Sequence, residues 1–133
     1  MSEANIATVQ SLYAAFVRGD IDMIVDGCLP EITWMSGGRK EDYPTFGPRN
    51  GTQGVRDFFR LVAELQDFNE FSPHEFYADR DKVFVLGNYA MTVKKSVRTV
   101  ASEWVHVFTF RGGKVSEFRE FTDTAAFAAA YRG

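Results

Sequence analysis

Residues 103–124 read EWVHVFTFRGGKVSEFREFTDT, two alternating runs either side of Arg111, Gly112 and Gly113. Period-2 alternation predicts strands, and the glycine pair supplies the positive φ that a tight hairpin needs. On the first strand Trp104, His106, Phe108 and Phe110 share one face, with Val105, Val107 and Thr109 on the other. On the second, Phe118, Glu120 and Thr122 alternate against Val115, Glu117, Arg119 and Phe121. Each strand therefore has a largely apolar side that carries one ionisable group, His106 on one and Glu120 on the other.

Outward from this hairpin, helices precede sheet. Ile6, Val9, Tyr13, Phe16 and Val17 fall at helical spacing, and Gly19 ends that helix. Asp20 can cap a second helix with Ile21, Ile24, Val25 and Leu29 inside, closed by Pro30, and with Cys28 in its apolar part. Ile32 to Met35 reads as a short strand, followed by a long loop, residues 36–51, suited to a lid or rim. Tyr43 in that loop can close over a ligand or decorate the rim. Thr52 can cap a third helix with Val55, Phe58, Phe59, Val62 and Leu65 on its buried side. Residues 71–78 and 83–93 read as strands joined by a turn at 79–82, with Gly87 marking a bend or bulge. Asp123 can cap a short, alanine-rich last helix, residues 125–131. The predicted fold is α+β: a curved antiparallel sheet wrapped by three N-terminal helices, one domain over residues 1–133.

Composition narrows the function. Thirteen phenylalanines, five tyrosines and two tryptophans among 133 residues suit an aromatic-lined cavity or a buried interface. A net charge of -3 argues against a nucleic-acid surface, which needs clustered cations, and the one basic cluster, Lys94, Lys95 and Arg98, reads as a solvated hairpin tip. No run approaches the ~20 apolar residues of a membrane span. A single cysteine, Cys28, and no signal-peptide pattern suggest the cytoplasm. Two histidines and one cysteine offer no zinc-ligand spacing, and no glycine-rich phosphate loop precedes a helix, so no metal or cofactor is expected.

The segments YAAFVRGDIDMIV (13–25), GTQGVRDFF (51–59) and FRGGKVSEFREF (110–121), in that order and with a tryptophan-bearing strand after the first, resemble the NTF2-like superfamily. The nearest branches are the ketosteroid isomerases and the SnoaL-like polyketide cyclases. This resemblance implies a conical α+β barrel with an interior pocket, assembled as a homodimer through the outer sheet face. Carried over residue by residue, it departs from the isomerases. Their first-helix tyrosine falls on Leu12, with Tyr13 about 100° further round the helix. Their aspartate base falls on Ser36, and their protonated aspartic acid on His106.

The SnoaL-like cyclases resemble this chain more, having a histidine and an acid inside the cone. The triplet at residues 119–121 also resembles the last strand of the phenazine-biosynthesis members, whose pocket glutamate matches Glu120. Asp123 is the rival acid, although its place before Thr124 also suits helix capping. Desolvation among aromatic rings would raise the Glu120 carboxyl toward the working range of the histidine, and such a pair can take a proton α to a carbonyl and return one elsewhere. Tyr13, Phe16, Trp34, Phe58, Phe59, Trp104, Phe108 and Phe118 are the expected pocket lining.

The expectation is thus a cofactor-free cyclase, isomerase or dehydratase with His106 and Glu120 as the exchanging pair and a hydrophobic small molecule as partner. The alternative is a non-catalytic NTF2-like module that binds a ligand in its cone or a protein on its sheet. Epoxide hydrolysis, as in the limonene epoxide hydrolase branch, lacks an Asp, Arg, Asp set in register here. His74, following Pro73, reads as an edge or surface residue.

Overall fold

Helical periodicity in the N-terminal segment produces α1 (Ser2–Arg18) in the computed structural model, which describes residues 2–133. Val9, Leu12, Tyr13 and Ala15 are buried, while Val17 lies past the edge of that face and is 73% exposed, against expectation. Gly19 ends the helix at φ +75°, a conformation that costs glycine little. Asp20 accepts a hydrogen bond from Met23 N at 3.1 Å and caps α2 (Ile21–Asp26) as predicted.

α2 stops earlier than Pro30. Gly27 is its C-cap, and Cys28, Leu29 and Pro30 instead open β1 (Cys28–Ser36). Tertiary pairing overrides the helical pattern here, because Val115 N donates to Gly27 O at 2.9 Å and Cys28 pairs with Val115. Pro30 sits in the irregular stretch between Cys28 and Thr33, where its missing N–H costs no ladder bond. Cys28 is buried at a strand start rather than in a helix.

Residues 36–51 are packed structure. They include β2 (Gly47–Asn50), which pairs with β1, and they bury Tyr43 and Phe46. Tyr43 therefore neither closes over a cavity nor decorates a rim. It packs on Phe46, Phe127 and Tyr131, and its hydroxyl donates to Gln66 Oε1. The next helix, α3 (Gly51–Leu65), begins one residue before Thr52, so the expected threonine cap is absent and the N-cap Asn50 makes no side-chain bond.

The remaining strands are β3 (Gln66–Asp79), β4 (Lys82–Val93), β5 (Arg98–Arg111) and β6 (Lys114–Phe121), in the sheet order β2-β1-β6-β5-β4-β3. Their neighbours run antiparallel except β1 and β6, which run parallel, so the sheet is mixed. Side-chain alternation carries no information on strand direction, and the long crossover from β1 to β6 was invisible to it. β2 and β3 are free edges, making the sheet a curved wall and not a closed barrel.

Two irregularities shape that wall. Gly87 lies opposite Pro73, where the β3 register slips, and a Cβ there would meet Trp104 Cζ2 at 2.4 Å and Ser72 O at 2.6 Å. The predicted bend is thus a point where backbone and indole touch. In β6 a slip between Thr109 and Phe110 pairs Phe110 with Val115 and skips Ser116. This bulge turns Val115 to the core, where simple alternation had placed it with the outward residues. α4 (Thr124–Arg132) closes the chain, burying Phe127, Ala128 and Ala130. Lys94 and Lys95 sit in the β4–β5 turn with Arg98 at the first position of β5, and Lys94 Nζ donates to Ala63 O at 2.8 Å.

Candidate functional site

β5 and β6 pair His106 directly with Glu120, on the concave face. The His106 Nε2 to Glu120 Oε2 distance is 2.8 Å, and the two side chains are only 7% and 13% exposed. The two groups thus lie side by side on one face of the hairpin.

Five further side chains complete the arrangement. Tyr13 of α1 brings its hydroxyl to 2.8 Å from His106 Nδ1. Ser36, at the end of β1, donates to Glu120 Oε1 at 2.7 Å, because the parallel pairing of β1 with β6 sets it beside Glu120. Tyr89 of β4 donates to Glu120 Oε2 at 3.3 Å and also lies 2.8 Å from Thr122 Oγ1, so its single O–H serves either oxygen. Trp104 stacks on the imidazole with centroids 3.9 Å apart and planes 18° from parallel, and Phe118 meets it edge-on at 4.9 Å.

The electrostatics differ from the sequence expectation in one respect. Burial does push the Glu120 carboxyl up, but the hydrogen bond from His106, the attraction of its ring, and the bonds from Ser36 and Tyr89 together outweigh it. The group is held below its ordinary value of 4.5. Desolvation alone is an incomplete guide, since His106 of β5, Ser36 of β1 and Tyr89 of β4 all donate to the charged form. Burial, then the Glu120 charge, raise Tyr13 well above 10, so its phenol stays protonated.

The ionised state of Glu120 places one proton of the ring. An ionised carboxylate only accepts, so His106 Nε2 carries a proton and donates it to Glu120. In the neutral ring Nδ1 then accepts from the Tyr13 hydroxyl. The result is a chain of hydrogen bonds, Tyr13 to His106 to Glu120, anchored by Ser36 and Tyr89.

This chain borders a cavity of about 80 Å³. Tyr13, Phe16, Trp34, Phe58, Phe59, Phe108 and Phe118 border it, together with Leu12, Tyr89, Thr45 and Gln66, which the sequence reading did not name as lining. Trp104 does not. It lies behind His106, a second layer that keeps the imidazole dry. Cavities of ~150 Å³ admit benzene, so a ligand of that size requires some of the lining rings to shift. Phe16, Phe58, Phe59, Phe68 and Phe71 are only half-buried and are the rings with room to do so.

Asp123, the rival acid, is exposed and accepts from Ala126 N at 3.0 Å, which is the capping role; it does not border the cavity. His74 is exposed and bonds Asn88. Among the described residues no group of three or more His, Cys, Asp or Glu is placed to hold a metal ion, and no helix is long and apolar enough to cross a membrane. Sequence reasoning passed over Ser36, Tyr89, Thr45 and Gln66 as site residues. Tyr89 shares inward parity with Val85 and Met91, which was a usable signal. The others depend on a parallel pairing, a buried loop and a helix–strand junction that no period reveals.

A family model described as SnoaL-like domain matches residues 9–118. No curated protein matches the sequence. Among solved structures, an NTF2-like protein from Burkholderia xenovorans LB400 is 29% identical, with a TM-score of 0.89 over 98% of this chain and 97% of that one. An NTF2-like protein of unknown function from Burkholderia pseudomallei K96243 is 27% identical, with a TM-score of 0.88 over 100% of both chains. TerC, co-crystallised with polyporic acid, is 26% identical, with a TM-score of 0.85 over 98% of this chain and 99% of that one.

Proposed function

The chain belongs to the SnoaL-like domain family of the NTF2-like superfamily, and on that premise we propose that it is an enzyme moving protons on a hydrophobic carbonyl compound in its cavity. The observation that carries this is the Tyr13, His106, Glu120 chain of 2.8 Å contacts beside an aromatic pocket.

The chemistry follows from the tautomer. A carbonyl oxygen entering the cavity takes the Tyr13 hydrogen bond from His106 Nδ1 and frees that nitrogen as a base. Nδ1 accepts the α-proton, the C–H pair moves toward the carbonyl, and the oxyanion is held by the Tyr13 O–H. Glu120, kept ionised by Ser36 and Tyr89, stabilises the imidazolium through Nε2–H, a division of labour like that of a catalytic triad. The proton then returns from Nδ1 to a different atom of the substrate, which is an isomerisation, or leaves with a hydroxyl or follows a new C–C bond, as in dehydration and cyclisation. Glu120 thus serves as the partner of the base, not as a second exchanging acid. A similar protein, TerC, was co-crystallised with polyporic acid, which is consistent with a small organic molecule as ligand.

The test is α-proton exchange of a panel of aryl ketones in D₂O, followed by NMR. The wild type should accelerate exchange of at least one member, with His106→Ala slower by about 10²–10⁴-fold and Tyr13→Phe by about 10²-fold or more. If no ketone exchanges faster than in buffer, or His106→Ala matches the wild type, the cavity only binds and the domain is a ligand-carrying module. Nitrogen-15 NMR of the free protein at neutral pH should find His106 protonated on Nε2.

A further inference from the structure

The cavity has a second polar group of residues, set apart from the histidine pair. Gln66, at the junction of α3 and β3, and Thr45, in the packed loop before β2, both line it while being only 7% and 5% exposed. Gln66 uses its Oε1 to accept from the Tyr43 hydroxyl, which turns the amide so that its NH₂ is left over. Among the described residues that NH₂ has no protein partner, nor has the Thr45 hydroxyl. Yet neither atom is among the buried side-chain atoms lacking a partner, which are Trp34 Nε1, Arg49 Nε and Trp104 Nε1. Both groups therefore have open space beside them, and the space their residues border is the cavity.

Register gives the separation. Val85 of β4 pairs with His106, and Val93 of the same strand pairs with Gln66, eight residues further on. At ~3.3 Å per residue the strand path between those rows is at most about 26 Å, and the curvature of the sheet shortens it in space. Phe16, Phe68 and Phe71 line the same cavity.

We propose that Gln66 and Thr45 form a distal subsite for an uncharged oxygen of the ligand, a hydroxyl or carbonyl remote from the carbonyl that meets Tyr13 and His106. The donors present, an amide N–H and a hydroxyl, fit a neutral acceptor. A carboxylate does not fit, because no Lys or Arg lines the cavity and Glu120 is already ionised there. The substrate class is thus a mostly apolar molecule with a ketone at one end and a neutral oxygen at the other, admitted by the shift of lining rings that a cavity of about 80 Å³ requires. This rests on the reading that the cavity takes a carbonyl ligand, but not on its being turned over.

Calorimetric binding of 4-phenylcyclohexanone, its 4-(4-hydroxyphenyl) analogue and the corresponding 4-(4-carboxyphenyl) analogue tests the subsite. The wild type should bind the phenol about five- to tenfold tighter than the parent, the worth of one good hydrogen bond, and the carboxylate more weakly than either. Gln66→Met should erase the phenol's advantage while leaving the parent's affinity within twofold. Thr45→Val should reduce the advantage by a smaller factor, and it serves as the second variant because it leaves the Tyr43 contact intact. No binding of the phenol, no preference for it in the wild type, or a preference that survives both substitutions would overturn the proposal. Preference without proton exchange would leave the subsite standing and sink the chemistry proposed for His106.

Discussion

The two faces of the curved sheet are built from alternate residues of the same strands, and each departs from the usual rule in one place. The concave face, where Val85, His106 and Glu120 share a row, buries an imidazole and a carboxylate. One register step away, on the convex face, Leu86, Val105 and Phe121 form a row beside Tyr77, Phe84 and Val107. There Tyr77, Leu86 and Phe121 are 54%, 37% and 43% exposed. A single antiparallel sheet usually keeps its apolar side inward and its polar side in water. Polar groups inside call for chemistry or binding, and apolar rows outside call for a partner. The inner groups are tolerable because each finds a partner; the outer rings stay partly in solvent, with, among the described residues, only the Arg119 guanidinium over Phe121, 4.9 Å from its centroid, and a hydrogen bond from Tyr77 to Glu75 to engage them.

Removing Glu120 should break this comparison most severely. Glu120→Ala leaves His106 Nε2–H, Ser36 and Tyr89 aimed at an absent acceptor, and should cost about 3 kcal/mol in urea denaturation at pH 7. The same carboxyl predicts a pH dependence. Because its folded pKa lies below 4.5, the stability it contributes is fully present above the unfolded value and drains away as pH falls through the folded one. Wild-type stability should therefore decline on acidification below about pH 4.5, with a shallower decline in Glu120→Gln.

An intermediate effect is expected at the junction between the faces. Gly87→Ala would set a methyl against the Trp104 ring and Ser72 O, and the indole that backs His106 would have to shift. A loss of about 2 kcal/mol is expected, together with a change in the His106 nitrogen-15 shifts, since overpacking displaces whatever lies behind it. A variant of unchanged stability would mean that the contact relaxes freely.

The smallest effect on folding should come from the convex face. Leu86→Lys with Phe121→Lys should alter the stability of the single chain by no more than about 0.5 kcal/mol, as surface changes generally do. If this face pairs two copies, light scattering should find a dimer in the wild type and a monomer in the double variant. A wild-type monomer would leave the outer rows without the partner expected for them.

The hairpin at 103–124 shows how much was legible. Alternation sufficed to put His106 and Glu120 on one face, and their direct pairing agrees. It failed at Val115, because one skipped residue reverses parity from that point on. It was silent on Ser36 and Gln66, whose neighbours belong to strands and loops remote in the chain. Tyr13 was legible as lining but not as the partner of His106, since helical spacing fixes a face and not the reach of a hydroxyl.

Local pattern by itself determined which residues turn inward, where the glycines bend the chain and that an acid and a histidine share one wall. These depend on periods of 2 and 3.6 and on backbone freedom, which neighbouring residues carry. Only the tertiary structure decided that β1 runs parallel to β6, that Glu120 is charged and not neutral, and that Gln66 presents a spare amide to the cavity. Protonation and hydrogen bonding are set by whatever lies within about 3 Å, and within that distance of Glu120 or Gln66 the deciding groups come from elsewhere in the chain.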